Sequence, residues 1–452
     1  MNALKQLGVE PVGRLLMRMS LPACSGLLII MLYNVVDTIF IGHYAGVSAM
    51  AGLSVVLPVA MFLPTIGMAI GIGSGSIISR NLGMRRLKNA QKAFGNGVSL
   101  SVVICVITTA ISYYFAHEIL YLFGARNNIM PYAMAYYRIV LIGIPVVGIW
   151  MFGNNCLRAE GNAKQVMFGQ WMSAIINIIL DAVLIVWLNK GIAGAAIATV
   201  ISQVIGLCYV AIYYGCGKTI IKFSWKSCIW ELCLVKEILA LGMSTLARQG
   251  VNSLMVMVLN QSLAKYGGNI AIAVYGILNR INALMFVPAL GMTQGFLPIV
   301  GYNYGAKLLS RVRSVIVLAI KAGCIIYVCI AIALHLFPGV AIRIFTNNQV
   351  VLDIGTIGLK TISITFPLML IQTLLAGYFQ ATGFALKAFF LTISRQVLFL
   401  IPLLLIFPDF WGIEGIWLCF PVADVLATAV TLLLFRKEWK KLTQATMVPA
   451  TA

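Results

Sequence analysis

Acidic side chains are scarce in this chain: twelve Asp and Glu stand among 452 residues, and only 10% of all residues are charged. Soluble globular domains carry roughly 25% charged residues, so that class is excluded. Histidine is scarcer still. His43, His117 and His335 are the full set, no H-E-x-x-H occurs, and no G-x-S-x-G has partners for a triad, which argues against a membrane-embedded enzyme. The ten cysteines are scattered without a C-x-x-C, so neither a disulfide framework nor a zinc site is expected.

What remains is apolar. Hydrophobic residues make up 61% of the chain and the mean hydropathy is +0.98. Twelve apolar runs follow one another near 15–41, 47–79, 93–115, 130–156, 165–188, 192–214, 238–263, 270–300, 314–335, 352–380, 386–407 and 413–435. Each matches the roughly 20 residues that span a hydrocarbon core of ~30 Å. The fold class read from them is an all-α integral membrane protein with twelve transmembrane helices. The run opening at Leu15 is too long for a secretory h-region and lacks a small-residue cleavage site, so it is read as a retained helix.

The formal charge of +20 would suggest nucleic acid in a soluble protein. Its placement says otherwise. The termini and even-numbered connections hold 22 Lys and Arg, and the odd-numbered connections hold only Arg126, Lys190, Lys265 and Arg343. Positive residues stay on the cytoplasmic side, so both ends are expected inside and no nucleic-acid partner is implied.

The chain also repeats itself. "MFLPTIGMAIG" at 61–71 answers "MFVPALGMTQG" at 285–295, "LRAEGNA" at 157–163 answers "FQATGFA" at 379–385, and "GIAG" at 191–194 answers "GIEG" at 412–415. The spacing stays at 221–224 residues, so a six-helix unit is duplicated. Six is even, which relates the copies by a pseudo-two-fold axis along the membrane normal. The expected organisation is an N-terminal lobe at 1–214, a cytoplasmic linker at 215–237 and a C-terminal lobe at 238–452. Paired lobes of this kind suit alternating access.

Three acidic residues fall inside the apolar runs: Asp37, Asp181 and Asp424. An ionisable group at such a depth is a functional hypothesis by default. Counting from the starts of helices 1 and 5 puts Asp37 and Asp181 at one depth in the outer half of the bilayer. Asn34 stands three residues before Asp37, Asn177 four before Asp181, and Thr199 of helix 6 reaches a comparable level. These oxygens fit a proton or a partly dehydrated Na⁺, with Asp37, Asn177 and Asp181 as its ligands. The second half lacks the pair, since Asp181 maps to Leu403 and Asp37 to the stretch between Leu259 and Gln261. Asp424 has no visible polar company. Arg280 and Arg395 lie deep and either pair with carbonyls, line an aqueous cavity or fix lobe packing. Arg248 is a third intramembrane arginine.

At "YNVVDTIFIG", "LRAEGNAK" through "NIILD", "FVPALGMTQGFLPIVGYNYGA" and "SRQVLFLIPLLL", in this order on twelve helices, the chain resembles the MATE (multidrug and toxic compound extrusion) family of bacterial efflux transporters. The resemblance implies a two-lobed exporter in the inner membrane of a bacterium. It would expel small organic cations, drugs and dyes among them, in exchange for H⁺ or Na⁺, without a cofactor and as a monomer. It also implies coupling residues at Asp37, Asn177, Asp181 and Thr199, with Asn154 nearby. Pro22 and Gly26 are hinge candidates in helix 1. The C-terminal lobe lacks acidic residues in helices 7 and 10 and offers Gln261, Arg280, Gln372 and Arg395 as polar candidates for the cavity. The rival reading is a flippase for lipid-linked saccharides of related architecture, which the intramembrane arginines keep alive.

Overall fold

Backbone N–H and C=O groups find no water in a hydrocarbon core, so an apolar run must satisfy them internally as a helix. The computed structural model describes residues 7–45, 47–126 and 129–447. Among these, nine helices are long and apolar enough to cross a bilayer, and the bent pair Gln349–Ser363 and Phe366–Thr382 (46°) makes a tenth. Two of the nine are hairpins. Leu232–Gly305 breaks at Gly268 (φ 63°), and Glu237 near its start and Gly305 at its end both meet Arg80. The stretch that runs on to Met447 breaks at Gly412 (φ 55°), and the Lys387–Glu438 ion pair joins its two arms. Twelve spans result, as the runs imply.

We number them α1 (Val12–Phe40), α2 (Val47–Gly83), α3 (Leu87–Tyr114), α4 (Met130–Ala159), α5 (Ala163–Asp181) and α6 (Gly191–Gly215). The second half continues with α7 (232–267), α8 (269–305), α9 (Leu309–Leu336), α10 (349–382), α11 (385–411) and α12 (413–447). Turns of π-helix follow α1 at Ile41–Ala45 and α5 at Ala182–Trp187, and a third interrupts α11 at Arg395–Leu400. The halves repeat in detail. The turns after α4 and α10 pass through Gly161 (φ 90°) and Gly383 (φ 92°), and those after α2 and α8 through Arg85 (φ 59°) and Lys307 (φ 58°).

Every inter-lobe hydrogen bond, ion pair and glycine approach among the described residues lies between the helix midpoints and the end that bears the termini. Ser76 Oγ donates to the Gln380 carbonyl at 2.6 Å, and Arg80 pairs with Glu237 at 2.7 Å. A Cβ on Gly73 would stand 2.2 Å from the Ile238 carbonyl oxygen, so backbones touch there. Beyond those contacts α7 and α8 part from the first lobe, with open space at Gly250 and Gly276. The lobes form a V that opens away from the basic end.

The feet of the V are exchanged. Leu15, Leu16 and Met19 of α1 are buried in the core of the second lobe, with Ile299, Val300 and Ile316. Val235, Ile238 and Leu241 of α7 are buried with Ile70, Ile77 and Phe94 of the first. Each lobe therefore holds the opening turns of the other's first helix, while the far part of α1 packs on α5 and that of α7 on the second lobe, through Met255, Leu259 and Leu263.

The connection between lobes is strapped to the first. Asn96 of α3 donates to the Ser227 and Ile229 carbonyls and accepts from the Glu231 N–H. Nearer α6, the fully buried Glu160 in the α4–α5 turn accepts the Ile220 N–H at 2.8 Å. Burial pushes the Glu160 carboxyl from its ordinary 4.5 up to about 8. Across that window Glu160 is protonated in the fold and ionised in the unfolded chain. Stability then falls as pH rises from about 4.5 to about 8. A profile of Tm against pH should flatten in Glu160→Gln; a slope equal to that of the unchanged protein would dismiss the contribution.

Candidate functional site

A parallel register between α1 and α5 sets the site. Gly26 of α1 lies against Gln170 of α5, so closely that a Cβ would meet its Oε1 at 1.9 Å. Eleven residues further along both helices stand Asp37 and Asp181, which therefore share a level. The π turns that follow them, Ile41–Ala45 and Ala182–Trp187, touch one another. Both carboxylates are buried, Asp37 at 7% exposure and Asp181 at 0%, and they are close enough to interact electrostatically.

Antiparallel packing of α5 on α6, fixed where Ser173 Oγ donates to the Ser202 carbonyl at 2.9 Å, brings Thr199 level with Asn177. Tyr136 of α4 and Tyr33 of α1 both lie close enough to the two carboxylates to interact with them electrostatically. Asp37 Oδ1, both oxygens of Asp181 and both amide atoms of Asn177 make no hydrogen bond to another protein group. Burying polar atoms in that condition is costly unless something satisfies them. The acceptor atoms here are oxygens, with no thiolate or imidazole among them, which suits a proton held between carboxylates or a hard cation and does not suit zinc. Among the described residues no three His, Cys, Asp or Glu gather as a metal cluster.

The other sequence candidates divide. Asn34 is half-buried and spends its amide on the Ile30 carbonyl at 2.6 Å. Asn154 is buried, but it sits elsewhere. Contacts of Gly143 with Val200 and of Gly153 with Val210 set α4 against α6, which puts Asn154 about 18 Å nearer the basic end than Asn177, at ~1.5 Å per residue. Pro22 lies inside α1, which continues helically through it.

In the second lobe Gln261 and Arg280 are exposed. Gln372 is buried and donates to the Asp424 carbonyl and to Thr428 Oγ1, both at 2.8 Å. Arg395 forms an ion pair with Asp424, whose other oxygen accepts the Thr365 hydroxyl at 2.7 Å. Asp424 thus has ample polar company, contrary to its appearance in the sequence. Its partners come from α10 and α11, distant in the chain. Tyr33 and Tyr136 are site neighbours that sequence reasoning missed. Tyr33 carried a signal, since it stands four residues before Asp37 on the same helical face. Tyr136 carried none.

Comparison with known proteins follows the same two-fold plan. The family model described as MatE matches residues 22–183 and 246–406, once in each half. The Multidrug export protein MepA of Staphylococcus aureus (strain N315) is 28% identical over 429 residues, covering 94% of this chain and 94% of that protein. Among solved structures, a crystal structure of MATE in complex with MaD3S is 25% identical with a TM-score of 0.92, covering 97% of this chain and 98% of that one. An outward-facing conformation of a multidrug resistance MATE family transporter of the MOP superfamily is 26% identical, also with a TM-score of 0.92 over 97% of this chain and 98% of that one. Both copies of the family pattern, on twelve helices in two matching lobes, are therefore present, and the chain belongs to the MatE family.

Proposed function

We propose that this protein is a multidrug efflux transporter that exchanges small organic cations for H⁺ or Na⁺ by alternating access. The observation that carries the reading is the group of unsatisfied buried oxygens on Asp37, Asn177 and Asp181 in one lobe of a V, whereas the buried carboxylate of the other lobe, Asp424, is already matched by Arg395 and Thr365. An ion that binds this site more tightly in one conformation shifts the balance toward it; a ligand that bound both equally would shift nothing. The basic end faces the cytoplasm by the charge rule, which leaves the V open to the outside of a bacterial inner membrane with both termini inside. Entry of the coupling cation then gains ~2.3 kcal/mol per charge per 100 mV. The unit of transport is one chain.

The test is efflux of an organic cationic dye from vesicles containing the full chain, under an imposed pH gradient and, separately, an imposed Na⁺ gradient. One of the two gradients should drive dye uphill. If neither does, and a lipid-linked pyrophosphate is moved across the bilayer instead, the exporter reading falls and the flippase reading replaces it.

A further inference from the structure

A cavity of about 610 Å³ lies at the basic end, on the seam between the lobes. Its wall takes Arg85 and Arg86 from the turn after α2, Lys307 from the turn after α8, and Tyr378, Glu438 and Lys441 from α10 and α12. Glu438 is the one carboxylate in the lining and is already matched, by Lys441 at 3.4 Å and by Lys387 at 3.5 Å. Arg85, Arg86 and Lys307 have no carboxylate partner among the described residues, and all three are exposed. The cavity is therefore strongly positive, with cations contributed from both lobes.

The backbone supplies an independent observation. In the first half, the Arg85 N–H bonds the Leu82 carbonyl and the Arg86 N–H the Asn81 carbonyl; in the second, Lys307 bonds Tyr304 and Leu308 bonds Asn303. This is the helix-ending motif in which glycine normally takes the left-handed position. The turns at Gly161 and Gly383 have the same pattern of bonds, and there glycine stands in both halves. At 85 and 307 a cation stands in both halves, in a conformation that side chains disfavour. Backbone strain kept at matching positions marks a functional demand.

We propose that this cavity binds a phosphate-bearing polyanion that bridges Arg85 and Arg86 of one lobe to Lys307 and Lys441 of the other, and so holds the V in its present form. Lobe separation at this end would pull the two sets of cations apart, so the anion favours the state in which they are together. The same chemistry is offered by an anionic phospholipid headgroup and by a soluble polyphosphate.

The test uses the full chain in nanodiscs of phosphatidylcholine, with Tm read on adding phosphatidylglycerol or, separately, inorganic pyrophosphate. Glycine fits the strained turns, so the double variant Arg85→Gly/Lys307→Gly should fold while losing both cations. Its apparent affinity for the anion should fall roughly 25-fold, each cation near a membrane surface being worth about fivefold. A charge-matched control, Lys222→Ser/Lys226→Ser in the exposed linker, should respond as the unchanged protein does. A rise of Tm with phosphatidylglycerol alone identifies the lipid as ligand, and a rise with pyrophosphate identifies the soluble anion. Equal responses in the glycine variant and the unchanged protein, or equal losses in the glycine variant and the linker control, would overturn the proposal.

Discussion

In vesicles under the driving ion gradient, Asp181→Asn and Asp37→Asn should each cut export of an organic cation by more than about tenfold, equivalent to 1.4 kcal/mol of lost coupling. The Tm of both variants should hold or rise. The two readouts part company because of the environment. Asp181 is fully buried and neither of its oxygens has a protein partner, so the ionised form is expensive to keep in the fold. An amide removes that expense together with the exchangeable charge. A carboxylate retained mainly for stability would behave in the opposite way, losing Tm on substitution. Export that persists at full rate in both variants would remove the first lobe from the coupling mechanism. Asn177→Ala should give an intermediate loss, since it takes away an amide oxygen and leaves both charges.

The second large effect concerns structure. Asp424→Ala should destabilise the second lobe by about 3–5 kcal/mol, the usual result of stranding one member of a buried ion pair. Arg395 keeps only 22% side-chain exposure and Asp424 only 3%, and the Thr365 hydroxyl would lose its acceptor as well. Arg395→Met/Asp424→Leu should recover most of the loss, because an apolar pair of similar volume replaces the ion pair without a stranded charge. Thermal unfolding of the two singles and the double gives the coupling energy through a mutant cycle. Additive losses in the double variant would mean that the two charges do not depend on one another.

The two carboxylate sites differ in how far the sequence exposed them. Asp37 and Asp181 lie on adjacent parallel helices of similar entry point, so counting residues is enough to put them level, and their companion Asn177 is one turn away. Asp424 gathers Arg395 from α11 and Thr365 and Gln372 from α10, none of which is a helical neighbour. Pairings across 29 to 59 residues depend on helix order and rotation, which hydropathy does not encode. Asn154 illustrates the reverse failure. A residue can share a lobe with a site and still sit far from it along the membrane normal, and only the contacts of α4 with α6 set its depth.

Boundaries follow a similar logic. The twelve runs read from hydropathy stop where lipid stops, whereas α2 continues to Gly83 and α12 to Met447 as helices past the apolar window. The short helices Ala116–Leu122 and Pro338–Arg343 were not visible as runs. They begin 222 residues apart, so the repeat that was legible in motifs extends to segments that hydropathy missed. The break of α10 at Ile364 and Thr365 has a local signal, Pro367 in the first turn of the segment that follows. It places the Thr365 hydroxyl where it meets Asp424.

The exchanged feet of α1 and α7 tie the two halves into one folding unit. Cut between the halves, each six-helix piece would leave the apolar foot of its own first helix uncovered, Leu15, Leu16 and Met19 in one and Val235, Ile238 and Leu241 in the other, so neither half buries that surface without its partner.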